Sequence, residues 1–452
     1  MDMKQFFFRV TTALFTLLVA GLAVNAQEVT PATAMKSYLN NGDQSFKWEI
    51  KDSFDIANGK AYDLLLTSQK WREYTWKHQL TVFVPDNIKY DGALLFITGG
   101  SVKDGEPNWS KSTDELLQQM GKVAVINNAI TAVLRQTPNQ PLFGKLTEDA
   151  LISYTLHQFK QDGDYNWPLL FPMVKSAVRA MDAIQEFGTR SLHRNVNGFV
   201  VSGASKRGWT TWLTGANDKR VVAIAPMVID ILNMPKSLDY QIKTWKEYSI
   251  QIEDYVKLGI PQTANTPKGN AINTMIDPYS YRSNLSMPKM IFMGTNDEYW
   301  VVDNIKNYID SIPGKNLINY VPNAGHGLGD KVQAFQGLSA FFGMTMRKQA
   351  YPDCSWTTNT SNGKVKVTAK ASADRLVDVV LWSANSPDLD FRNDKWESQS
   401  LGQAHRSKVS VTTPLPQSGY RAFYVDLKYE NATGGTYTVS TRVFVTDTKA
   451  IL

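Results

Sequence analysis

A serine stands in a glycine-flanked turn between a predicted strand and a predicted helix. The turn is the segment GASKRG at 203–208, in which Ser205 follows Gly203 and Ala204. An apolar run at 196–201 precedes it, and residues 209–213 are typical of a helix. Small residues permit the sharp strand-to-helix turn that holds a serine hydroxyl clear of the backbone. The positive end of the helix would face negative charge that develops there. The pattern predicts a nucleophilic serine at position 205.

A nucleophilic serine needs a base, and His326 is the candidate. The chain has five histidines. Only His326 lies downstream of Ser205 in a glycine-flanked loop, GHG, after a predicted strand at 317–321. Its Nε2 would take the serine proton and return it to the leaving group. The alternative is an ordinary turn residue.

The histidine in turn needs a carboxylate to orient it. Asp297 follows the predicted strand at 290–294, and the order Ser205, Asp297, His326 is that of α/β-hydrolases. Asp297 could instead cap the helix after it. Asp230, at the end of the predicted strand at 221–228, is a competing acid; otherwise it is a structural or substrate-contacting residue.

An acyl-transfer site also needs donors for the negative oxygen of the tetrahedral intermediate. One candidate is the backbone N–H of Lys206, which directly follows the nucleophile. The other is the N–H of Gly100 or Ser101, after the predicted strand at 93–98. Glycines let a backbone N–H approach a ligand closely. A plain Gly-Gly turn is the alternative.

The turn departs from the G-x-S-x-G pattern at one position. Arg207 occupies the place that is normally small, and the glycine comes one residue later, at Gly208. Lys206 and Arg207 also place two cations beside the nucleophile. One of them could stabilise the oxyanion or hold an acidic substrate group, so Arg207 is a candidate substrate-binding residue. Salt bridges to neighbouring acids are an equally good interpretation.

Tryptophans flank the predicted site along the chain. Trp109 follows the oxyanion loop, Trp300 follows the acid, and Trp167 lies in the stretch 148–172, a candidate cap over the site or a surface loop. These three are candidate substrate contacts, because indole rings stack on sugars or line acyl pockets, although aromatic residues also fill cores. For Trp209 and Trp212, on the predicted helix after the turn, core packing is the favoured interpretation.

The elements that must position these residues alternate between strands and helices. Short apolar runs predict strands at 93–98, 123–127, 196–202, 221–228, 290–294 and 317–321, with helices at 113–120, 173–187 and 330–342. Apolar runs without alternation are typical of parallel strands that are covered on both faces. The sequence predicts an α/β class, specifically an α/β-hydrolase fold with a mostly parallel sheet flanked by helices. An alternating run at 78–84 predicts an antiparallel edge strand.

The C-terminal part of the chain, from residue 351, has a different sequence pattern. Runs typical of β-strands occur at 364–369, 377–382, 408–413, 420–429 and 436–446, separated by Asn-Gly, Pro and Gly-Gly. They predict a small C-terminal all-β sandwich domain. The predicted domains are therefore a hydrolase domain at 27–348, which begins with lead-in strands, and the β-sandwich at 351–452.

The N-terminus has the pattern of a secretory signal peptide at 1–26. Lys4 and Arg9 precede an apolar stretch at 13–24, and the small-residue site VNA predicts a mature chain that begins at Gln27. A membrane anchor is the alternative, but the stretch is short for a bilayer span, and no later segment is long and apolar enough. We expect an exported protein, periplasmic or extracellular.

Composition narrows the function further. The 452 residues carry a net charge of +6 without a block of like charges, so nothing indicates a nucleic-acid partner. The single cysteine, Cys354, cannot form an internal disulfide bond. Motifs for a metal site or a phosphate-binding loop are lacking in the sequence, which predicts chemistry without a cofactor.

Several long motifs resemble the PhoPQ-activated pathogenicity-related protein family. They are GASKRGWTTWL at 203–213, APMVIDILNM at 225–234, GTNDEYW at 294–300 and NAGHG at 323–327, together with the stretch 148–182. The resemblance implies a secreted bacterial protein with an α/β-hydrolase domain, but no substrate. The turn is also similar to that of glucuronoyl esterases, in which a basic residue after the serine helps the oxyanion.

Three functions remain open on the sequence. The favoured one is a secreted serine esterase that forms an acyl-enzyme and acts on a small-molecule or carbohydrate-type ester. The second is a serine peptidase of the prolyl-oligopeptidase type, with the same three residues. The third is a non-catalytic binding protein on a hydrolase scaffold.

Overall fold

The structure of the protein is a computed structural model that describes residues 28–402 and 404–452; the predicted signal peptide lies outside the described residues. Within that range the α-helices are α1 (Ala34–Leu39), α2 (Glu115–Asn127), α3 (Glu148–Asp162), α4 (Leu170–Ser191), α5 (Lys206–Asn217), α6 (Met234–Trp245), α7 (Glu253–Lys257), α8 (Pro267–Ile276) and α9 (Val332–Met346). Short 3-10 helices cover Ile250–Ile252, Pro261–Thr263, Pro278–Asn284, Asn304–Asn307 and Ile309–Ser311. The strands are β1 (Lys47–Ile56), β2 (Gly59–Trp71), β3 (Tyr74–Pro85), β4 (Gly92–Ile97), β5 (Val102–Lys103), β6 (Glu106–Pro107), β7 (Ile130–Leu134), β8 (Gly198–Ala204), β9 (Val221–Met227), β10 (Lys289–Gly294), β11 (Asn316–Val321), β12 (Trp356–Ser361), β13 (Lys364–Lys370), β14 (Leu376–Ser386), β15 (Glu397–Ser400), β16 (Lys408–Pro414), β17 (Tyr420–Glu430), β18 (Thr436–Ser440) and β19 (Phe444–Thr446).

A large mixed sheet forms the centre of the molecule. Its strands follow the order β1-β2-β3-β7-β4-β8-β9-β10-β11, and it continues into the C-terminal strands. From β7 to β11 neighbouring strands are parallel, whereas β1, β2 and β3 form antiparallel pairs and β3 is antiparallel to β7. The prediction of an α/β-hydrolase fold is confirmed.

The parallel strands are buried because helices cover both faces of the sheet. Every residue of β4, β7 and β10 is buried. The apolar side chains divide into two clusters, one shared with α4 and α5 and the other with α2 and α9. Within the described ranges, no helix has both the length and the apolar composition needed to cross a bilayer.

One predicted strand is wrong. Residues 123–127 form the last turns of α2, and the strand that joins the sheet is β7, three residues further on. The first four residues of the run Val-Ala-Val-Ile-Asn are apolar, and so short an apolar run does not distinguish a strand from a buried helix. The helix buries Val123 and Ala124 but leaves Ile126 46% exposed, and this one-sided burial is the signature of a surface helix.

The predicted edge strand at 78–84 is also misplaced. It belongs to β3, which pairs with β2 on one side and β7 on the other. The long strands β1 and β2 extend the sheet beyond it. The alternating pattern identified the antiparallel pairing but not the two additional strands in the lead-in.

The C-terminal strands build two layers. Strands β14, β15, β17, β18 and β19 belong to the central sheet, which they join where β18 pairs with β11. Strands β12, β13 and β16 form a separate three-stranded sheet. Valines 365, 367 and 411 from the small sheet share an apolar cluster with Val379 and Val425 from the large one. The predicted C-terminal β-structure is confirmed, and it is continuous with the hydrolase sheet.

A long insertion separates β9 from β10, at residues 228–288. It contains α6, α7 and α8, with short 3-10 helices between them. Helix α3, which begins the candidate cap at 148–172, contacts both α7 and α8. The insertion was not anticipated from the sequence, and it forms much of the wall of the cavity described below.

Candidate active site

Ser205 occupies a sharp turn between β8 and α5. Its φ of 58° and ψ of −125° are unusual for a residue with a side chain. The backbone N–H of Ser205 donates to the carbonyl oxygen of Met227 at 2.9 Å, which ties the turn to the neighbouring strand β9. This is the conformation expected of a nucleophile elbow, in which the hydroxyl stands at the end of the strand.

Close packing explains the glycines of the turn. A Cβ atom at Gly203 would lie 2.8 Å from the carbonyl oxygen of Ile97, and one at Gly208 would lie 2.7 Å from that of Met227. The second position that must be glycine is therefore 208. The irregular spacing in the sequence has a steric reason, because it is Gly208 that faces β9.

The three predicted catalytic side chains meet at one place. His326 Nε2 lies 2.8 Å from Ser205 Oγ. Its Nδ1 lies 3.0 and 2.9 Å from the two carboxylate oxygens of Asp297. Asp297 is 5% exposed. Burial raises the pKa of its carboxyl, and the hydrogen bond and charge of His326 oppose that rise. The arrangement has the geometry of a serine-histidine-aspartate triad.

The two residues after Asp297 hold the histidine, and sequence reasoning did not give them this role. Glu298 Oε2 accepts a hydrogen bond from the backbone N–H of His326 at 2.8 Å. The ring of Tyr299 stacks on the imidazole of His326 with centroids 4.0 Å apart. The backbone N–H of Tyr299 donates to Asp297 Oδ1 at 2.8 Å. Burial and nearby carboxylates raise the pKa of Tyr299 to about 12. Their only sequence signal is adjacency to Asp297 in GTNDEYW.

The C-terminal segment 391–396 anchors both loops. Asn296, next to Asp297, donates through Nδ2 to the backbone oxygens of residues 391, 392 and 394 at 3.2, 3.1 and 2.8 Å. Asn323, in the histidine loop, exchanges two hydrogen bonds with the backbone of Trp396, at 2.9 and 2.7 Å. Residues remote in sequence therefore hold the loops that carry Asp297 and His326.

The predicted oxyanion donors lie on two converging elements. Lys206 is the first residue of α5, where backbone N–H groups have no partner within the helix. The loop after β4 packs tightly: a Cβ at Gly99 would lie 2.5 Å from Arg207 Nη2, and one at Gly100, whose φ is 143°, would lie 3.0 Å from Gln136 Nε2. Ser101 Oγ accepts from Asn108 at 2.7 Å.

The two cations beside the nucleophile are held in salt bridges. Lys206 Nζ lies 3.0 Å from carboxylate oxygens of both Glu148 and Asp149. Arg207 donates to both oxygens of Glu148 at 2.7 Å and to the carbonyl oxygen of Thr137 at 2.6 Å. Burial works against ionisation of Glu148, but Arg207 and Lys206 lower its pKa to about 2. The salt-bridge interpretation of these cations therefore fits the geometry.

An apolar cavity opens beside Ser205. Ser205 and Lys206 line it, and its empty volume is about 710 Å³, part of it open to solvent. Its remaining wall is largely hydrophobic and comes mainly from the insertion at 228–288, with Leu156 of α3 and Trp209 of α5; the insertion contributes Ile229, Ile231, Ile260, Ala264 and Ile272 among others. Asp149, Tyr255 and Tyr299 contribute polar atoms.

A second cleft lies against the histidine. It is lined by His326, Ala204 and Thr98 together with charged residues at 114, 115, 135, 330 and 331. Arg135 in this cleft is paired with Asp114 at 2.6 Å. Ser205 and His326 thus open onto different surroundings, the first onto a largely apolar cavity and the second onto a cleft with both charged and apolar side chains.

The predicted substrate-contacting residues are dispersed. Trp300 lines the apolar cavity. Trp109 is 40% exposed, and the ring of Trp167 packs 3.3 Å from the guanidinium of Arg72. Asp230 is buried, and that burial, with the charge of Asp297, raises its pKa to about 7. It makes no hydrogen bond to His326 within the described residues, whereas Asp297 makes two contacts.

Several known proteins are similar to this chain. The model of the PhoPQ-activated pathogenicity-related protein family matches residues 35–392. Autocrine proliferation repressor protein A of Dictyostelium discoideum is 28% identical over 445 residues, which covers 90% of this chain and 89% of that protein. Acetyl xylan esterase 1 from Thermoanaerobacterium sp. JW/SL YS485 has a TM-score of 0.49 and 16% identity, covering 70% of this chain and 94% of that one. A glucuronoyl esterase from Solibacter usitatus has a TM-score of 0.38 and 12% identity, covering 61% and 78%. The family match includes the elbow, the acid loop and the histidine loop.

Proposed function

The chain belongs to the PhoPQ-activated pathogenicity-related protein family, and we propose that it is a serine hydrolase that cleaves carboxylic esters through an acyl-enzyme. The observation that carries the proposal is the hydrogen-bonded line of Ser205, His326 and Asp297, with 2.8 Å between the hydroxyl and the imidazole. A serine at a strained elbow, within reach of an imidazole that is paired with a buried carboxylate, is the arrangement that acyl transfer requires.

In the first half-reaction Ser205 Oγ attacks the ester carbonyl carbon while His326 Nε2 takes its proton. The carbonyl oxygen becomes negative, and the backbone N–H of Lys206, with that of Gly100 or Ser101, donates to it. The bond to the leaving oxygen then breaks, His326 gives that oxygen the proton, and the alcohol departs. The acyl group remains on Ser205 as an ester.

In the second half-reaction water replaces the alcohol. Its oxygen attacks the acyl carbon while His326 takes a proton from it, and the bond from that carbon to Ser205 Oγ breaks. His326 returns the proton to the serine, and the carboxylic acid is released. Asp297 stays ionised and stabilises the imidazolium in both steps. Neither half-reaction needs a cofactor.

The test is labelling of the purified protein with a fluorophosphonate, combined with turnover of p-nitrophenyl esters. We expect a covalent adduct on Ser205 and no turnover by Ser205→Ala. The control is Ser361→Ala, an exposed serine on β12, which should retain both. An unlabelled, folded wild-type protein would instead favour the binding-protein alternative.

The same test separates an esterase from a peptidase. Cleavage of aminoacyl amides with no cleavage of esters would support a peptidase of the prolyl-oligopeptidase type. The substrate class that we propose is a small-molecule or carbohydrate-type ester.

We further propose that the protein is exported, to the periplasm or beyond, after removal of residues 1–26. The positive residues, the apolar stretch and the VNA site at the N-terminus support this. Intact-mass measurement on protein from a periplasmic fraction should give a chain that begins at Gln27. A chain that retains Met1 in the membrane fraction would contradict the proposal.

A further inference from the structure

We propose that the apolar cavity beside Ser205 receives the acyl group of the substrate, so that the enzyme favours esters of aliphatic acids longer than acetic acid. The inference rests on the proposed ester hydrolysis and adds the chemistry of the acid part. It follows from three observations: the composition of the cavity wall, the charge balance at its rim, and the position of His326.

The wall of the cavity selects against polar groups. Isoleucines 229, 231, 260 and 272 and the indole of Trp209 line it. The Trp209 indole nitrogen is already bonded to the carbonyl oxygen of Ile276 at 2.6 Å. A sugar or a charged acyl group placed here would lose its bonds to water without replacing them, and that loss is unfavourable. An alkyl chain gains from the same transfer.

The polar atoms at the rim are balanced among themselves. Lys206 is paired with Asp149 and Glu148 at 3.0 Å, and the hydroxyl of Tyr255 donates to Asp149 Oδ1 at 3.0 Å. An acidic acyl group would have to compete with two carboxylates for one ammonium. The rim therefore offers no excess positive charge to a uronic acid or a similar anionic substrate.

The position of the histidine determines which half of an ester enters the cavity. The leaving oxygen must lie within reach of His326 Nε2, because that nitrogen protonates it. His326 lines the second cleft, whose wall carries both charged and apolar side chains, whereas Ser205 and Lys206 line the apolar cavity. The alcohol therefore leaves along the second cleft. The acyl group, bonded to Ser205 Oγ, extends into the apolar cavity.

Two isomeric esters separate the orientations. Ethyl hexanoate and hexyl acetate have the same atoms and the same carbon count, but they place the six-carbon chain on opposite sides of the carbonyl. Burial of one methylene group changes an equilibrium constant about 4-fold. We expect kcat/KM for ethyl hexanoate to exceed that for ethyl acetate by on the order of 100-fold, and that for hexyl acetate by at least about 10-fold.

A cavity-filling variant links the preference to the cavity. Ala264 lines the wall and is 7% exposed. Ala264→Leu should lower the ratio of kcat/KM for ethyl hexanoate to kcat/KM for ethyl acetate about 10-fold. The matched control is Ala271→Leu on α8, a half-buried alanine that does not line the cavity, and it should leave the ratio of the two esters unchanged. Thermal unfolding of both variants reports whether they are folded.

Each outcome has a distinct meaning. A preference for hexyl acetate, equal rates for the two isomers, or rapid cleavage of methyl glucuronate would overturn the acyl-cavity inference while leaving the ester hydrolase intact. Failure to cleave any ester, together with no fluorophosphonate adduct on Ser205, would overturn the proposed function itself.

Discussion

Two buried aspartates follow successive strands, and replacing each in turn tests the assignment of the acid. Asp230 follows β9 and Asp297 follows β10, but only Asp297 lies within hydrogen-bond distance of His326, at 2.9 Å from Nδ1. The substitutions Asp297→Asn and Asp230→Asn change charge without changing size. We expect the first to abolish most catalysis and the second to preserve it.

The magnitude for Asp297→Asn follows from its neighbours. Oδ1 accepts from the N–H of Tyr299 at 2.8 Å, so the asparagine would keep its oxygen there. Its amide nitrogen would then occupy the place of Oδ2 and donate to His326 Nδ1. The imidazole must then carry its proton on Nε2, where it cannot accept the proton of Ser205. The wrong tautomer lowers kcat by about 10⁴-fold, or about 5.5 kcal/mol in activation free energy.

The assay is single-turnover acylation by a p-nitrophenyl ester, with circular dichroism and thermal unfolding to establish that both variants are folded. Asp230→Asn should remain within about 3-fold of the wild type. A loss of less than about 10-fold for Asp297→Asn, or an equal loss for Asp230→Asn, would refute the assignment of the acid. The second result would point to Asp230 as the residue that orients the base.

Three other perturbations test different parts of the site. Glu298→Ala removes the acceptor of the His326 N–H and should lower kcat about 10-fold in steady-state assays with little change in KM, while Glu298→Gln, which keeps an oxygen acceptor, should retain most activity. Gly208→Ala places a Cβ atom 2.7 Å from a backbone oxygen and should lower the urea-unfolding free energy by about 1–3 kcal/mol; Gly327→Ala, with nothing within 4 Å, should not. Asp230 has a pKa of about 7 in the folded protein, against about 3.9 in an unfolded chain. Between these values the folded state binds a proton at Asp230 that the unfolded state does not bind. The free energy of unfolding therefore falls as the pH rises from about 4 to 7. Asp230→Asn should remove about 4 kcal/mol of that decline in urea titrations measured across this range, and an unchanged slope would contradict the pKa.

Local patterns carried most of the predictable information. Short runs of adjacent residues indicate the elbow at Ser205 and the loop after β4. Short loops after predicted strands indicate Asp297 and His326, in the order that α/β-hydrolases have. The parallel strands were recognisable because burial on both faces leaves an uninterrupted apolar run. The same rule failed at 123–127, where the residues are equally compatible with a helix. Local hydrophobicity does not show which neighbouring elements cover a segment.

Contacts between distant segments were not predictable in this way. The insertion at 228–288 forms a cavity wall only when it packs against α5. The sequences of its short helices have no distinctive hydrophobic periodicity. Asn296 and Asn323 read as ordinary turn residues until their partners at 391–396 are known. Trp109 and Trp167 were near the motifs in sequence, but proximity along the chain does not determine which way a side chain points.

Residues 391–396 anchor the loops that carry Asp297 and His326. The last quarter of the chain therefore contributes to the geometry of the candidate site. Chain synthesis runs from the N-terminus, so the acid and base loops receive their anchors only after nearly everything else has emerged. A chain interrupted near residue 350 would contain Ser205, Asp297 and His326, yet β11 would end the sheet as a bare edge and both asparagines would lack their acceptors. We therefore expect such a truncated chain to have little of the proposed activity, so that full activity would indicate a completed polypeptide.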